Sequence, residues 1–283
     1  MPHAEPLIAA VMPAYNAADY LEEAIRSVMA QTFREWELIV VDDCSADATP
    51  EIAAKLAAED PRITVIRNPV NRREGGSRNI GIGKISPSVR YVATMDADDR
   101  CRPERFRRQF EFLESHPECY VCGGSIALMD ERGRVFAERS YPCGAGRILK
   151  TYCSCNCFAH PTTMFRRDAF GTLSYDASHR CVDYDLIFRL LEKHDGDNLP
   201  EILLDYRISP TQQKSVYLKE TLADTIGIQR SRLFDPRFFR MANLFNWCAE
   251  NVLYLLPGGV VYALFRWKYF RRPPKYRPDT GES

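Results

Sequence analysis

The chain has 283 residues, 45% of them hydrophobic and 27% charged, a composition that supports a sizeable core and excludes an intrinsically disordered chain. Lysine plus arginine and aspartate plus glutamate number 38 each. This charge balance gives no reason to expect a nucleic-acid partner, and we predict none.

The beginning of the chain and its cysteines bear on the cellular compartment. Residues 1–6 show no charged stretch followed by an apolar one, so the sequence predicts a cytoplasmic protein whose ten cysteines are reduced thiols. Cys153, Cys155 and Cys157 alternate and would share one face of a strand, yet no Cys-x-x-Cys pair accompanies them. Zinc is therefore the disfavoured interpretation, and the role of this cluster stays open.

The first hundred residues alternate apolar strands with helices. Strands are expected at residues 7–12, 37–41, 63–66 and 91–95, and helices begin near residues 19, 49, 77 and 103. This alternation predicts an α/β fold with a mainly parallel sheet and a ligand crevice at the carboxyl ends of the strands. No Gly-x-Gly-x-x-Gly follows the first strand and no Walker-type Gly-Lys-Ser/Thr occurs, which disfavours dinucleotide and P-loop sites.

Carboxylates crowd the expected crevice. They follow the second and fourth strands: Asp42, Asp43, Asp96, Asp98 and Asp99. Because like charges repel, such a cluster favours a bound cation, and oxygen ligands select Mg²⁺ or Mn²⁺, which can bind a diphosphate. Arg78, near a glycine-rich helix start, could add a cation to the same phosphates. The alternative is a helix cap and a solvated turn before Pro103.

The second half is expected to be mixed. Strands are predicted at residues 120–129, 161–166 and 202–208, a hairpin turn at 130–133 and a helix at 182–193. Asp183 lies in the first turn of that helix, where the helix dipole favours an ionised carboxylate that could accept a proton. An ordinary helix-start acid is the alternative interpretation.

After residue 215 the sequence predicts a helical extension to residue 272 and a disordered tail at 273–283. The uncharged run 252–265 is too short for a spanning helix, and 257–259 interrupt it. A basic cluster follows: Arg266, Lys268, Arg271, Arg272, Lys275 and Arg277. We expect residues 241–272 to make peripheral contact with a membrane. Packing on the protein or on a second subunit is the alternative, which leaves a homo-oligomer open.

Several motifs together resemble the family-two, GT-A-fold inverting glycosyltransferases. They are Met12-Pro-Ala-Tyr-Asn16, Val40-Val-Asp-Asp-Cys-Ser45, Ser77-Arg-Asn-Ile-Gly81, Met95-Asp-Ala-Asp-Asp99, Met164-Phe-Arg-Arg167 and Val182-Asp-Tyr-Asp-Leu186. The resemblance covers residues 7–208. It implies a GT-A domain at 1–214, with a nucleotide-sugar-binding half at 1–99 and an acceptor and catalytic-base half at 100–214.

The resemblance also implies a role for each site residue. Donor contacts would come from Pro13, Tyr15, Asp42, Arg78 and Asp96. Asp42 would bind the nucleobase, Arg78 would lie near the phosphates and Asp96 near the ribose or sugar. Asp98 would bind Mg²⁺ or Mn²⁺ on the diphosphate, with Asp99 orienting donor or acceptor beside it. Asp183 would deprotonate the acceptor hydroxyl for in-line attack, which inverts the anomeric centre.

The implied reaction moves a sugar from a nucleotide-diphosphate donor, with a UDP-sugar preferred, to a hydroxyl of a glycan or lipid-linked acceptor. It would serve cell-surface polysaccharide synthesis at the inner face of the cell membrane. One alternative is a catalytically inactive, sugar-nucleotide-binding partner subunit, which the intact Asp98 and Asp183 disfavour. A nucleotidyltransferase is disfavoured because no glycine-rich basic loop follows the first strand.

Three positions depart from the family pattern. Cys44 stands where glycine is usual, which puts the turn after Asp43 in question but leaves that carboxylate intact. Val182 stands where an acid commonly precedes the base, and Ser209 where some relatives have a histidine. None of the three removes the acids to which the resemblance gives a role.

Overall fold

The computed structural model describes residues 5–178, 180–208, 218–257 and 260–261. Its strands are β1 (Ile8–Ala14), β2 (Trp36–Asp42), β3 (Ile63–Arg67), β4 (Tyr91–Thr94), β5 (Arg100–Cys101), β6 (Cys119–Met129), β7 (Val135–Arg139), β8 (Met164–Arg166) and β9 (Asp195–Arg207). Its α-helices are α1 (Leu21–Met29), α2 (Thr49–Glu59), α3 (Arg73–Ile82), α4 (Arg105–Ser115), α5 (Ala145–Thr151), α6 (Val182–Leu191), α7 (Leu218–Arg232) and α8 (Met241–Leu255). Short 3-10 helices at His160–Thr162 and Arg167–Gly171 flank β8.

In the described residues these strands form one sheet, in the order β3-β2-β1-β4-β8-β6-β9-β5, with β7 paired to β6. Strands β3, β2, β1 and β4 are parallel neighbours. Strand β8 runs antiparallel to β4 and β6, whereas β9 runs parallel to β6. The predicted α/β fold, with a mainly parallel sheet and flanking helices, is confirmed.

Strand β1 lies in the middle of the parallel half, and all of its residues except Pro13 are buried. Strands that are covered by helices on both faces have continuous apolar sequences instead of alternating ones. Helix α1 presents four buried residues at helical spacing: Leu21, Ala24, Ile25 and Val28. Burial of apolar side chains between α1 and the sheet therefore fixes where the carboxyl ends of β1 and β2 lie.

Helix α3 packs closely on β1 and β2 because Gly81 lets the backbones approach. A Cβ built at Gly81 would lie 2.5 Å from Val11 Cγ1 and 3.2 Å from Val41 Cγ2. The helix begins at Arg73, earlier than the predicted start near residue 77. This packing brings Arg78 to the middle of β1, where its Nη1 donates to the Val11 carbonyl at 3.3 Å.

Several predicted elements differ from those observed. Strand β8 is shorter than predicted because Pro161 lies in a 3-10 helix, and β9 begins at Asp195 instead of residue 202. The strand expected for Cys153, Cys155 and Cys157 is wrong, since these residues lie in and around the turns after α5. In the part of the chain that the structure describes, the three thiols form no group with metal-ligand spacing.

Helices α7 and α8 make up the described part of the C-terminal extension. They are anchored on the protein body by buried Ile228, Leu233 and Phe238, and the Phe238 ring meets that of Phe188 at a centroid distance of 4.8 Å. Among the described helices, none combines the length and the apolar character that crossing a bilayer requires. Ser209, the predicted basic cluster and the predicted tail lie outside the described residues.

Candidate active site

The loops after β1 and β2 are joined into one unit by hydrogen bonds. The Asn16 amide donates to Ser45 Oγ at 2.9 Å, and Asn16 Oδ1 accepts the Ala46 amide at 2.9 Å. Pro13 is half-buried on this unit, and Tyr15 is 55% exposed. The aromatic face of Tyr15 is therefore accessible at the strand ends, on a loop that a neighbouring loop holds in place.

The two acids that end β2 have different surroundings. Asp42 is fully buried, with Oδ1 accepting the Ser45 amide at 3.1 Å and Oδ2 lying 3.2 Å from Arg67 Nε. Within the described residues this Oδ2 accepts no hydrogen bond and has only the ion pair with the 60% exposed Arg67 side chain, so a ligand donor that displaces Arg67 could bond to it. Asp43 instead accepts the Asn68 side-chain amide at 2.8 Å and a loop amide at 2.7 Å. Asp42 is the binding candidate, whereas Asp43 fixes the loop.

Cys44 follows these acids with a φ of 67°, in the left-handed region that favours glycine. The position where the family resemblance leads us to expect glycine thus has a backbone conformation that suits glycine, yet it carries a side chain. An L-residue in this conformation is strained by about 1 kcal/mol. The Cys44 thiol donates to the Pro69 carbonyl, 3.8 Å away.

Asp96, Asp98 and Asp99 come together in the loop after β4. One carboxylate oxygen from each lies within 4.8 Å of the others, and Asp99 is buried while the other two are half-buried. A set of carboxylate oxygens at this spacing fits a hard divalent cation such as Mg²⁺ or Mn²⁺. The cluster predicted from sequence is thus brought together at the carboxyl end of a parallel strand.

Arg78 lies against Asp96, almost completely buried at 1% exposure. Its Nε and Nη2 donate to Glu74 Oε1 at 3.2 and 3.1 Å, and Nη2 also bonds Asp96. Burial lowers the pKa of Arg78, but the Glu74 and Asp96 carboxylates raise it more, so the guanidinium stays charged. In this structure Arg78 holds Asp96, and its contact with donor phosphates stays a prediction.

A second buried arginine, Arg207 at the end of β9, contacts the acid loop from the opposite side. Its backbone amide donates to Asp99 Oδ1, and its Nε donates to the Asp98 carbonyl, both at 2.8 Å. Sequence reasoning placed this residue in a strand and gave it no role. The sequence did contain a signal for it, namely an arginine at the end of an apolar strand. If such an arginine is buried, its guanidinium needs several hydrogen-bond acceptors, and a nearby cluster of acids can supply them.

Tyr175 connects this donor side with the helix that carries the predicted base. Its hydroxyl lies 3.0 Å from His160 Nε2. Burial is the main cause that raises the pKa of this hydroxyl, and three carboxylates near it raise that pKa further: Glu74, Asp183 and Asp96. Helix α3 links the two acids structurally, because its Gly75 packs against Val182, next to Asp183, while its Arg78 bonds Asp96.

Asp183 lies in the first turn of α6, as predicted. Asn156 Nδ2 donates to Asp183 Oδ2 at 3.2 Å, and Asn156 Oδ1 accepts the Phe158 amide at 3.1 Å. The preceding Val182 is buried and packs on α3, since a Cβ built at Gly75 would lie 3.1 Å from Val182 Cγ1. The residue that replaces the usual acid is thus an apolar contact between two helices.

A cavity of about 640 Å³ lies at the other end of β4, beside Tyr91, Arg166 and Phe170. None of the predicted site residues lines it. Arg166 donates to the backbone carbonyls of Cys119 and Leu113, so its charge supports the fold there. The candidate active site is the open crevice at the acid cluster.

Comparison with known proteins identifies the family. Residues 9–174, more than half of the chain, match the model for Glycosyl transferase family 2. The chain belongs to this family. It is 35% identical over 212 residues to the putative glycosyltransferase EpsE of Bacillus subtilis, covering 71% of this chain and 73% of EpsE. It is 31% identical over 220 residues to the O-antigen biosynthesis glycosyltransferase WbnJ of Escherichia coli, covering 74% and 83%.

Solved structures agree on the fold. TarS of S. aureus, residues 1–349 in complex with UDP-GlcNAc, matches with a TM-score of 0.64 at 18% identity, covering 93% of this chain and 73% of that one. The mannosyltransferase PcManGT of Pyrobaculum calidifontis, in complex with GDP-Man and Mn²⁺, matches with a TM-score of 0.61 at 14% identity, covering 95% and 81%. The predicted GT-A fold is confirmed.

Proposed function

We propose that this protein is a metal-dependent, inverting glycosyltransferase that moves a sugar from a nucleotide-diphosphate donor to an acceptor hydroxyl. The observation that carries the proposal is the arrangement of carboxylates at one sheet edge. Asp96, Asp98 and Asp99 lie within metal-ligand reach of one another. Asp183 lies in the first turn of the helix whose Val182 packs on α3, and α3 carries Arg78 against Asp96. A cation site and a separate base on one crevice are the parts that sugar transfer from a diphosphate requires.

The donor is proposed to lie across the ends of β1, β2 and β4. The buried Asp42 Oδ2, which accepts no hydrogen bond in the described residues, would accept one from a nucleobase N–H, with Pro13 and Tyr15 beside it. A UDP-sugar is the first donor to test because TarS has been solved with UDP-GlcNAc. PcManGT was solved with GDP-Man, so a guanine donor is the second.

Asp98, supported by Asp96 and Asp99, would hold Mg²⁺ or Mn²⁺ at the donor diphosphate. When bound, such an ion neutralises negative charge that develops on the leaving diphosphate. Asp183 would take the proton of the acceptor hydroxyl. As it does so, the oxygen of that hydroxyl would bond to the anomeric carbon, and the bond between this carbon and the phosphate oxygen of the donor would break. Attack opposite the leaving group inverts the anomeric centre, and Asn156 would keep the Asp183 carboxylate oriented.

The acceptor is proposed to be a glycan or lipid-linked precursor of a cell-surface polysaccharide. WbnJ, a relative over most of its length, is an O-antigen biosynthesis enzyme. In α8 an exposed apolar stripe follows helical spacing: Met241, Phe245, Val252 and Leu255. Together with the basic residues that follow in the sequence, this stripe supports peripheral contact of residues 241–272 with the anionic inner face of the cell membrane.

Donor identity and catalysis are tested in two steps. A thermal-shift series with UDP, GDP and their sugars, with and without Mn²⁺, should show stabilisation by one base only, because ligands of the native state raise the unfolding temperature. Transfer to a glycan acceptor is then followed for the donor so found. Tight donor binding by calorimetry, with neither transfer nor donor hydrolysis, would favour the inactive partner subunit instead.

Membrane contact has its own test. Full-length protein is sedimented with vesicles of anionic and of neutral lipid. The double variant Phe245→Ser/Leu255→Ser should lose most binding to anionic vesicles. Phe136→Ser, which removes an exposed aromatic from β7, should bind as the native protein does. Equal binding by all three proteins would contradict a role for the α8 stripe.

A further inference from the structure

Arg207 is the side chain on which several distant segments converge at the acid loop. It is 1% exposed, and its Nε donates to the Asp98 carbonyl at 2.8 Å. Its backbone amide donates to Asp99 Oδ1 at the same distance. One residue thus touches both of the neighbouring acids, one through its backbone oxygen and the other through its carboxylate.

The rest of the guanidinium is fixed by parts of the protein that are remote from the acids. Nη1 donates to the carbonyls of Asp130 and Glu131, both at 3.1 Å, in the turn between β6 and β7. Nη2 bonds the Glu23 carboxylate in α1, and the guanidinium carbon lies 4.3 Å from the centroid of the Tyr20 ring. The position of the Arg207 fork is therefore determined by the fold.

This arrangement controls how the acids face one another. The peptide plane between Asp98 and Asp99 is set by the bond to the Asp98 carbonyl, and that plane determines where both side chains start. Three crowded carboxylates repel one another, so they relax apart unless the backbone holds them. Metal sites tolerate displacements of only about 0.5 Å. Lysine could not replace the arginine, because a single ammonium lacks the planar fork.

We propose that Arg207 is a positioning residue that preorganises Asp98 and Asp99 for a divalent cation. The proposal rests on the proposed function, in which Asp98 binds the cation at the donor diphosphate. For the change in cation affinity when Arg207 is replaced, the proposal predicts the opposite direction to the one that electrostatics alone predicts. Removing a buried positive charge beside a cation site should tighten cation binding if only charge matters. Removing a positioning residue should weaken it.

The test is a Mn²⁺ titration of the full chain in the presence of UDP, in which the electron paramagnetic resonance signal of free Mn²⁺ reports binding. Arg207→Met should raise the Mn²⁺ Kd at least tenfold, and Arg207→Lys should recover little of it. The control is Arg102→Met. It removes a cation that pairs at 2.6 Å with Asp205, which lies on β9 as Arg207 does. Its Kd should stay within twofold of the native value.

Kinetics give a second readout that a general loss of structure would not produce. With Arg207→Met, transfer should recover most of its kcat at saturating Mn²⁺ while the Mn²⁺ concentration for half-activation rises. Should this variant fail to fold, Glu23→Gln decides, since it removes the charge of a 40% exposed carboxylate that pairs with Nη2 of Arg207 and with Nη1 of Arg100. For Glu23→Gln we expect a threefold rise in the Mn²⁺ Kd.

Three results would overturn the proposal: unchanged or tighter Mn²⁺ binding by folded Arg207→Met, an equal loss in Arg102→Met, or native Mn²⁺ affinity in Glu23→Gln when Arg207→Met is unfolded. The proposed function fails separately. If Asp98→Asn binds Mn²⁺ as the native protein does, Asp98 is not the metal ligand, whatever Arg207 does.

Discussion

The donor side and the base side of the crevice are built in different ways. On the donor side, Asp42 ends the parallel strand β2 and Asp96 lies in the loop after the parallel strand β4, and both loops are hydrogen-bonded to other parts of the chain. On the base side, Asp183 starts a helix and takes its hydrogen bond from Asn156, which lies in the turns after α5. Strand ends and the loops that follow them build the first side, and a helix start held by a residue in a turn builds the second.

This difference suggests that the two sides have separable kinetic effects. Under the proposed function, groups at the ends of β2 and β4 would contact the donor throughout the reaction and so contribute to its binding. Asp183 would act only as the acceptor proton leaves. Helix α3 touches both sides, because Arg78 bonds Asp96 while Asn79 exchanges two hydrogen bonds with the Tyr175 backbone.

The largest expected effect comes from Asp183→Asn. Loss of a general base typically lowers the rate by about 10²–10⁴-fold, so kcat for transfer should fall by that factor. The Kd for the nucleotide measured by calorimetry should not change, because the base does not hold the donor. Asp176→Asn, an exposed acid in the loop before α6, should leave kcat within twofold. A parallel loss of nucleotide affinity in Asp183→Asn would contradict the division into two sides.

Asp42→Asn should produce the opposite pattern. Replacing a charged hydrogen-bond acceptor removes about 1.5–3 kcal/mol, which corresponds to a loss of roughly ten- to one-hundredfold in donor affinity. The KM for the donor should rise while kcat at saturating donor stays near native. Calorimetry with the nucleoside diphosphate alone should show the same loss. A fall in kcat without a change in nucleotide Kd would remove Asp42 from the donor side.

The donor side was largely predictable because its information is local. An apolar run followed by Asp42, or by Asp96, Asp98 and Asp99, indicates a buried strand with acidic side chains at its carboxyl end. The turn at Cys44 was flagged from sequence because glycine is usual there, and the structure gives it a positive φ. Motif and geometry coincide when neighbours in sequence are neighbours in space.

The base side was only partly predictable because its contacts join residues far apart in the chain. Asp183 could be placed at a helix start, but nothing local indicated that Asn156 would bond it. On the donor side, too, Arg207 and Asp99 are brought together by sheet pairing that is long-range in sequence, so strand propensity could not assign the arginine a role. The cysteine alternation predicted a strand, yet the packing of α5 places those residues in turns.

Gly81→Ala tests whether α3 couples the two sides. The added methyl would lie 2.5 Å from Val11 Cγ1, and overpacking of this kind costs about 1–3 kcal/mol of unfolding free energy. Because α3 must shift, donor affinity and kcat should both decline moderately. Gly146→Ala in α5, where a Cβ meets nothing within 4 Å, should stabilise the protein by about 0.5–1 kcal/mol. Denaturant unfolding measures both, and equal changes would refute the close-packing argument.

The smallest effect should come from Cys44→Gly, which confines the perturbation to the donor side. Relief of left-handed strain gains about 1 kcal/mol, and the greater freedom of glycine in the unfolded chain offsets part of it. We therefore expect a net stabilisation of about 0.5 kcal/mol, with kcat unchanged, since the hydrogen bond of the thiol goes to the Pro69 carbonyl and not to a predicted site residue. Cys44→Ala keeps the strain and should not stabilise. If alanine and glycine stabilise equally, the thiol and not the backbone is the source of the strain.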